Sequence, residues 1–152
     1  MRAHGLGPGA LVMEIIESAL SEPVAVAPVL DRIGELGVRV AIDDFGAGFS
    51  SLTRLRHLTV HILKLDRSFL AGVPEDDRGG AFIAAILRLA RELQLDVVAE
   101  GIETRAQLDY LRGAGASHGQ GFHLARPMPA AELTALLQAG SQAGSGRGGA
   151  PS

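Results

Sequence analysis

Four short runs rich in Val, Ile and Leu, residues 11–16 (LVMEII), 38–45 (VRVAIDDF), 61–66 (HILKLD) and 96–102 (DVVAEGI), alternate with segments of helical spacing. No other feature of the chain constrains the fold as strongly. Runs of this length and composition read as strands buried on both faces. Between them, Leu30, Ile33 and Leu36 share a helix face that Gly37 ends, with Pro28 leaving the start of that helix open. Phe82, Ile86, Leu89, Ala90 and Leu93 predict a second apolar stripe over residues 81–93. Thr104 and Gln107 form a capping-box pair ahead of Leu108 and Leu111, and Pro129 can open a fourth helix carrying Leu133, Leu136 and Leu137. A fifth, short strand is expected within residues 118–122. Such alternation specifies an α/β protein with about five parallel strands, in a sheet either open or closed as a barrel. Residues 1–138 read as this folded unit, and the Gly, Ser and Ala rich segment 139–152 has no periodicity and is expected to be disordered.

With 47% hydrophobic and 20% charged residues the chain has the composition of a globular core rather than a disordered one. It contains no cysteine, which removes disulfides and thiolate metal sites and suits a reducing cytoplasm. No apolar run reaches the roughly 18 residues of a membrane span, and no signal pattern opens the chain. The net charge of -3 argues against DNA as a partner bound through a basic surface. If a phosphate ligand binds, something other than net charge attracts it.

The unusual residues fall at or just beyond the C-terminal ends of the predicted strands: Glu14 and Glu17, Asp43 and Asp44, Lys64 and Asp66, Glu100 and Glu103, with Gln120 as a fifth position. In parallel α/β folds those ends open on one face, where ligands bind. Adjacent strand residues point to opposite faces, so Asp43 and Asp44 can share one face only if the strand is ending there. Carboxylates gathered on one face repel one another, and Lys64 is the only nearby lysine to offset them. Hard divalent cations resolve that repulsion, and oxygen ligands without cysteine favour Mg²⁺ or Mn²⁺. Two such cations suit hydrolysis of a phosphodiester, and they would draw phosphate to an acidic protein. The five histidines are scattered and predict no site, and Gly46 and Gly48 read as turn residues of a loop rather than a phosphate cradle.

Five ordered segments carry a resemblance: LVMEIIES (11–18), AIDDFGAGFSSL (41–52), LKLDRSF (63–69), VVAEGIET (97–104) and QGF (120–122), followed by Arg126 and Pro127. Together they resemble the EAL domain family, bacterial phosphodiesterases that linearise cyclic di-GMP to pGpG. The resemblance implies a (β/α)8 barrel related to the TIM barrel, with its active site at the C-terminal strand ends. By that pattern Glu14 and Asp43 look like ligands of one Mg²⁺ or Mn²⁺, and Asp44 like a ligand of the second. Lys64 would hold the attacking water or the phosphate charge, and Glu100 takes the position of the general base. Glu17 would brace the loop 45–51, and Asp66, Glu103 and Gln120 would complete the substrate site.

A departure is mild at Ile16, where the family often has Thr. A larger one lies in the segment that names the family, with its metal-binding Glu, and in a strand with a metal-binding Asn, neither of which has a counterpart here. A barrel of this type takes about 250 residues, so the resemblance implies a C-terminal portion with its N-terminal strands missing. The expectation is a chain inactive in isolation that self-associates or is completed by an N-terminal segment. The alternatives are a non-catalytic cyclic di-GMP-binding module and an inert gene fragment.

Overall fold

The computed structural model describes residues 5–21, 23–46, 55 and 57–145. Chain order gives β1 (Val12–Ile16), α1 (Pro23–Glu35), β2 (Arg39–Phe45), β3 (Ile62–Leu65), α2 (Asp77–Glu92), β4 (Asp96–Ala99), α3 (Arg105–Ala114), β5 (His118–Gly119) and α4 (Ala130–Ser145), with short 3-10 turns at Glu17–Ser21 and Arg67–Leu70. The five strands form one sheet in the order β1-β2-β3-β4-β5, and every neighbouring pair is parallel. All C-terminal strand ends therefore open on the same side. β3 is buried at every position, Lys64 included, as a central strand covered on both faces requires.

Alternation along the strands divides the sheet into two faces. Val40 and Ile42, Leu63 and Leu65, and Val97 and Ala99 join the helix-side core with Leu30, Ile83, Ile86, Leu87, Ala90, Leu108 and Leu111. The intervening residues of β2 and β3, among them Asp43 and Lys64, take the opposite face. Each fully buried aliphatic side chain contributes about 1.5–3 kcal/mol relative to exposure. This layer anchors the strands whose polar ends make the site.

The helices depart from the sequence reading in instructive ways. α1 begins at Pro23 and keeps Pro28 inside it, burying Leu30, whereas Leu36 lies past its end and is 70% exposed. Gly37, at φ +75°, turns the chain into β2. α2 starts at Asp77, capped by Asp76, whose Oδ1 accepts from the Arg78 N–H. Its buried stripe is Ile83, Ile86, Leu87 and Ala90, while Phe82 is 55% exposed. The helix carries enough apolar residues for two competing stripes, and the one that meets the sheet is buried. A Cβ on Gly80 would lie 2.9 Å from the Tyr110 hydroxyl, which donates to Gly80 O, so α2 and α3 approach closely at that position.

The capping box of α3 forms as its spacing predicts: Thr104 Oγ1 accepts from the Gln107 N–H at 3.2 Å, and Gln107 Oε1 accepts from the Thr104 N–H at 3.1 Å. Thr104→Ala is expected to cost about 1 kcal/mol in chemical denaturation. β5 is shorter than expected, because the chain turns after Gly119. α4 continues to Ser145, into the segment 139–152 whose composition reads as disordered. Residues 146–152 of that segment, and residues 47–51 of the loop expected to be braced by Glu17, lie outside the described residues.

Candidate active site

The two adjacent aspartates reach one region through a backbone irregularity within β2, where the sequence reading expected a strand end. β2 pairs Ile42 with Leu63 and Phe45 with Leu65, leaving Asp43 and Asp44 together opposite Lys64. This is a β-bulge. Asp44 takes φ +53°, a left-handed conformation that costs about 1–2 kcal/mol in most residues and that Asp adopts more readily than most. The bulge shifts the alternation by one. Phe45 thereby returns to the helix-side core, where Asp44 would otherwise have been driven among leucines.

Lys64 stands at the centre of the cluster. Its Nζ lies 2.7 Å from Asp43 Oδ1, 2.9 Å from Glu14 Oε1 and 2.9 Å from Glu100 Oε1, and the residue is only 7% exposed. Burial alone would lower the lysine pKa, but the hydrogen bonds and charges of Asp43, Glu14 and Glu100 outweigh it and hold the group well above its ordinary value. Carboxylate oxygens of Asp43, Asp44 and Glu100 also lie within 4.8 Å of one another, a spacing compatible with a shared cation. Glu14 is outside this trio and meets it through the shared ammonium. Asp43 Oδ1 is buried, and the Lys64 ammonium at 2.7 Å is its partner.

Beside the cluster runs a groove of about 340 Å³ lined by Asp66, Arg67, Glu100, Glu103, Gln120 and Phe122, among others. Asp66 caps the turn Arg67–Leu70, accepting from the Ser68 N–H at 2.9 Å, and hydrogen bonds from the Ser68 side chain and backbone lower its pKa. Glu103 donates its backbone N–H to Gln107 Oε1, which leaves its carboxylate to the groove wall. Gln120 is held by its backbone, donating to Ala99 O and accepting from the Ile102 N–H. Arg126 sits 4.5 Å over the Phe122 ring. Glu17 is buried in the 3-10 turn after β1 and accepts from the Gly46 N–H at 2.7 Å, so it braces the residue where the loop leaves β2.

The structure thus brings Glu14, Asp43, Lys64 and Glu100 into direct contact, sets Asp44 beside them, and places Asp66, Glu103 and Gln120 along the adjoining groove. Sequence reasoning passed over Arg67 as a groove residue; its place directly after Asp66 in LKLDRSF was the available signal. His61 lies at the start of β3, at the opposite end from Asp66, and its Nδ1 accepts from the Val40 N–H. It serves the sheet.

Among the described residues no helix is long and apolar enough to cross a membrane. The chain is 43% identical over 135 residues to the bifunctional diguanylate cyclase/cyclic di-GMP phosphodiesterase MucR of Pseudomonas aeruginosa, a match covering 88% of this chain and 20% of that protein. It superposes on the solved MucR phosphodiesterase, a c-di-GMP complex, with TM-score 0.79 and 41% identity, covering 87% of this chain and 54% of that one. A manganese and cyclic di-GMP complex of Klebsiella pneumoniae BlrP1 matches with TM-score 0.73 and 31% identity over 80% of this chain and 31% of that one. The chain therefore spans about half of the solved MucR domain and a fifth of the curated relative. Its five parallel strands correspond to part of the barrel-like fold of these neighbours. The EAL domain model matches residues 1–127 continuously, from the Glu14 strand through the groove at Gln120, and the chain belongs to the EAL domain family.

Proposed function

We propose that the chain carries the lysine-and-carboxylate part of a metal-dependent phosphodiesterase site that opens cyclic di-GMP to linear pGpG. The observation that carries this reading is the buried Lys64 ammonium shared by Glu14, Asp43 and Glu100 beside the Asp43, Asp44 and Glu100 oxygens. The donor set fits Mg²⁺ or Mn²⁺: the ligands are hard anionic oxygens, and those of Asp43, Asp44 and Glu100 lie within 4.8 Å of one another. Glu14, Asp43 and Asp44 would hold the cations, which when bound supply positive charge to the phosphodiester and acidify water.

The chain's own groups have separable tasks. Glu100 accepts a proton from the water that adds to phosphorus, while one phosphorus–ribose oxygen bond breaks and the freed hydroxyl takes up a proton. Lys64 directs its fixed charge to the phosphate oxygens, where a buried ammonium acts without solvent reorganisation. Glu17 holds Gly46, and with it the exit of β2, while Asp66, Glu103 and Gln120 border the ligand in the groove. A cytoplasmic location accompanies this reading.

A fusion tests it. The chain placed behind the N-terminal part of the MucR phosphodiesterase domain should convert cyclic di-GMP to pGpG with Mn²⁺, followed by chromatography, whereas the chain alone should show negligible conversion. Binding without conversion by the fusion would favour a ligand-binding module over an enzyme. Robust conversion by the chain alone would refute the incomplete site.

The sheet bears on assembly. β1 and β5 are its two edges, and Val12, Met13 and Ile16 of β1 are 40%, 40% and 56% exposed. An open parallel sheet presents unpaired backbone groups along such an edge. The isolated chain is expected to self-associate unless an N-terminal segment completes it. Light scattering over a concentration series checks this, and a stable monomer with a sharp unfolding transition would contradict it.

A further inference from the structure

A glycine follows each arm of the carboxylate cluster: Gly46 comes two residues after Asp44, and Gly101 directly after Glu100. Both adopt positive φ, +96° and +69°. Both press on the same short element. A Cβ on Gly46 would lie 2.1 Å from Phe69 Cζ, and one on Gly101 would lie 2.3 Å from Arg67 Cβ. The turn Arg67–Leu70 is therefore wedged between the ends of β2 and β4, directly after the strand that carries Lys64. The turn is itself held firmly. Asp66 caps it, Gln107 Nε2 donates to Leu70 O at 3.0 Å, and Leu70 is buried. The Phe69 ring stacks on Phe82 with centroids 5.6 Å apart and planes 11° from parallel.

We propose that Phe69, backed by Phe82, is a positioning residue: it fixes Gly46, and through it the Asp43–Asp44 bulge, relative to Lys64 and Glu100. The bulge needs such a support. Asp44 occupies a conformation that relaxes unless its surroundings hold it, and β2 has only Phe45 between the bulge and the point where it leaves the sheet. Gly46 is gripped on one side by the Glu17 carboxylate and on the other by the Phe69 ring. Removing the ring frees one side of that grip. Phe69 need not touch a ligand for this. The consequence for cations rests on the function proposed above, but the positioning itself does not.

The test uses the full 152-residue chain without metal, with Phe69→Leu, Phe69→Tyr and Phe82→Ala. Phe82 is half exposed, so its truncation removes the stack without opening the core. Hydrogen exchange read by mass spectrometry should show residues 43–46 exchanging about tenfold faster in Phe69→Leu and Phe82→Ala, the scale of a lost aromatic pair. Phe69→Tyr, which keeps the ring, should match the parent. The amides of Arg39 and His61, bonded to Leu11 O and Val40 O at the other end of the sheet, should be unchanged. Unchanged exchange at 43–46 in both truncations would overturn the inference. So would uniform acceleration throughout the chain in Phe69→Leu with no local effect in Phe82→Ala, since that is ordinary core packing. A parallel Mn²⁺ titration by electron paramagnetic resonance separates the two readings. No Mn²⁺ binding by the parent chain would remove the cation site, while the exchange result would still decide the role of Phe69.

Discussion

Lys64→Met is expected to lower the stability of the metal-free chain by about 3 kcal/mol, the loss typical of breaking a buried ion pair from one side. The substitution keeps the length and apolar stem of the side chain but leaves Glu14, Asp43 and Glu100 without their common cation. Glu14 has 51% of its side chain exposed and is screened by solvent, so most of the loss arises from Asp43 and Glu100, at 25% and 20%. Urea denaturation measures it. Millimolar Mn²⁺ should return part of the stability, because a divalent ion replaces the missing charge among the same oxygens. A loss under about 1 kcal/mol, the range of exposed pairs, would show that the cluster is solvated and relaxed rather than held by Lys64.

The pH dependence has a definite sign. The carboxylates raise the Lys64 pKa above its ordinary 10.5, so its contribution is fully present below that value and declines as pH rises through the raised one. From neutrality to about pH 10.5 the difference between the parent and Lys64→Met should therefore not shrink through this group. Above that range the parent should lose its advantage. A difference that disappears well below 10.5 would mean that the ammonium is not stabilised by its neighbours.

Glu100→Gln, made in the fusion that completes the domain, is expected to reduce conversion of cyclic di-GMP by about 10²–10⁴-fold, the usual contribution of a positioned proton acceptor. Cyclic di-GMP binding should change far less, because the amide has the size of the acid. Unchanged conversion would reject Glu100 as the acceptor. The cluster also allows a different role, since Glu100 lies within 4.8 Å of the Asp43 and Asp44 oxygens. Measuring Mn²⁺ affinity in the same variant separates them: a proton acceptor leaves the affinity largely intact, whereas a ligand weakens it together with turnover.

Much of the architecture was legible in the linear chain because its signals are local. Runs rich in Val, Ile and Leu marked the central strands to within a residue or so at their N-terminal ends, and the Thr104–Gln107 pair marked the start of α3. The polar residues at the strand ends were legible as a group, since parallel strands bring all those ends to one side. α2 was placed but rotated, because its apolar residues fit two stripes and packing against the sheet and α3 buries the one with Ile83, Ile86, Leu87 and Ala90.

The residue types of the site, acidic with one lysine, and their common face were thus determined by sequence alone. The contacts among them were decided by tertiary structure. Asp43 and Asp44 serve one cluster because pairing with β3 leaves both opposite Lys64 and holds Asp44 at positive φ. Lys64 finds three carboxylates because β1, β2 and β4 are in register around β3, separated by tens of residues in sequence. Gly46 and Gly101 must be glycines because one turn packs against both. Propensity and periodicity act over a few neighbours and so are written in the chain, whereas a bulge, a shared counter-ion and a close backbone approach depend on distant segments arriving together, and only the folded sheet supplies that.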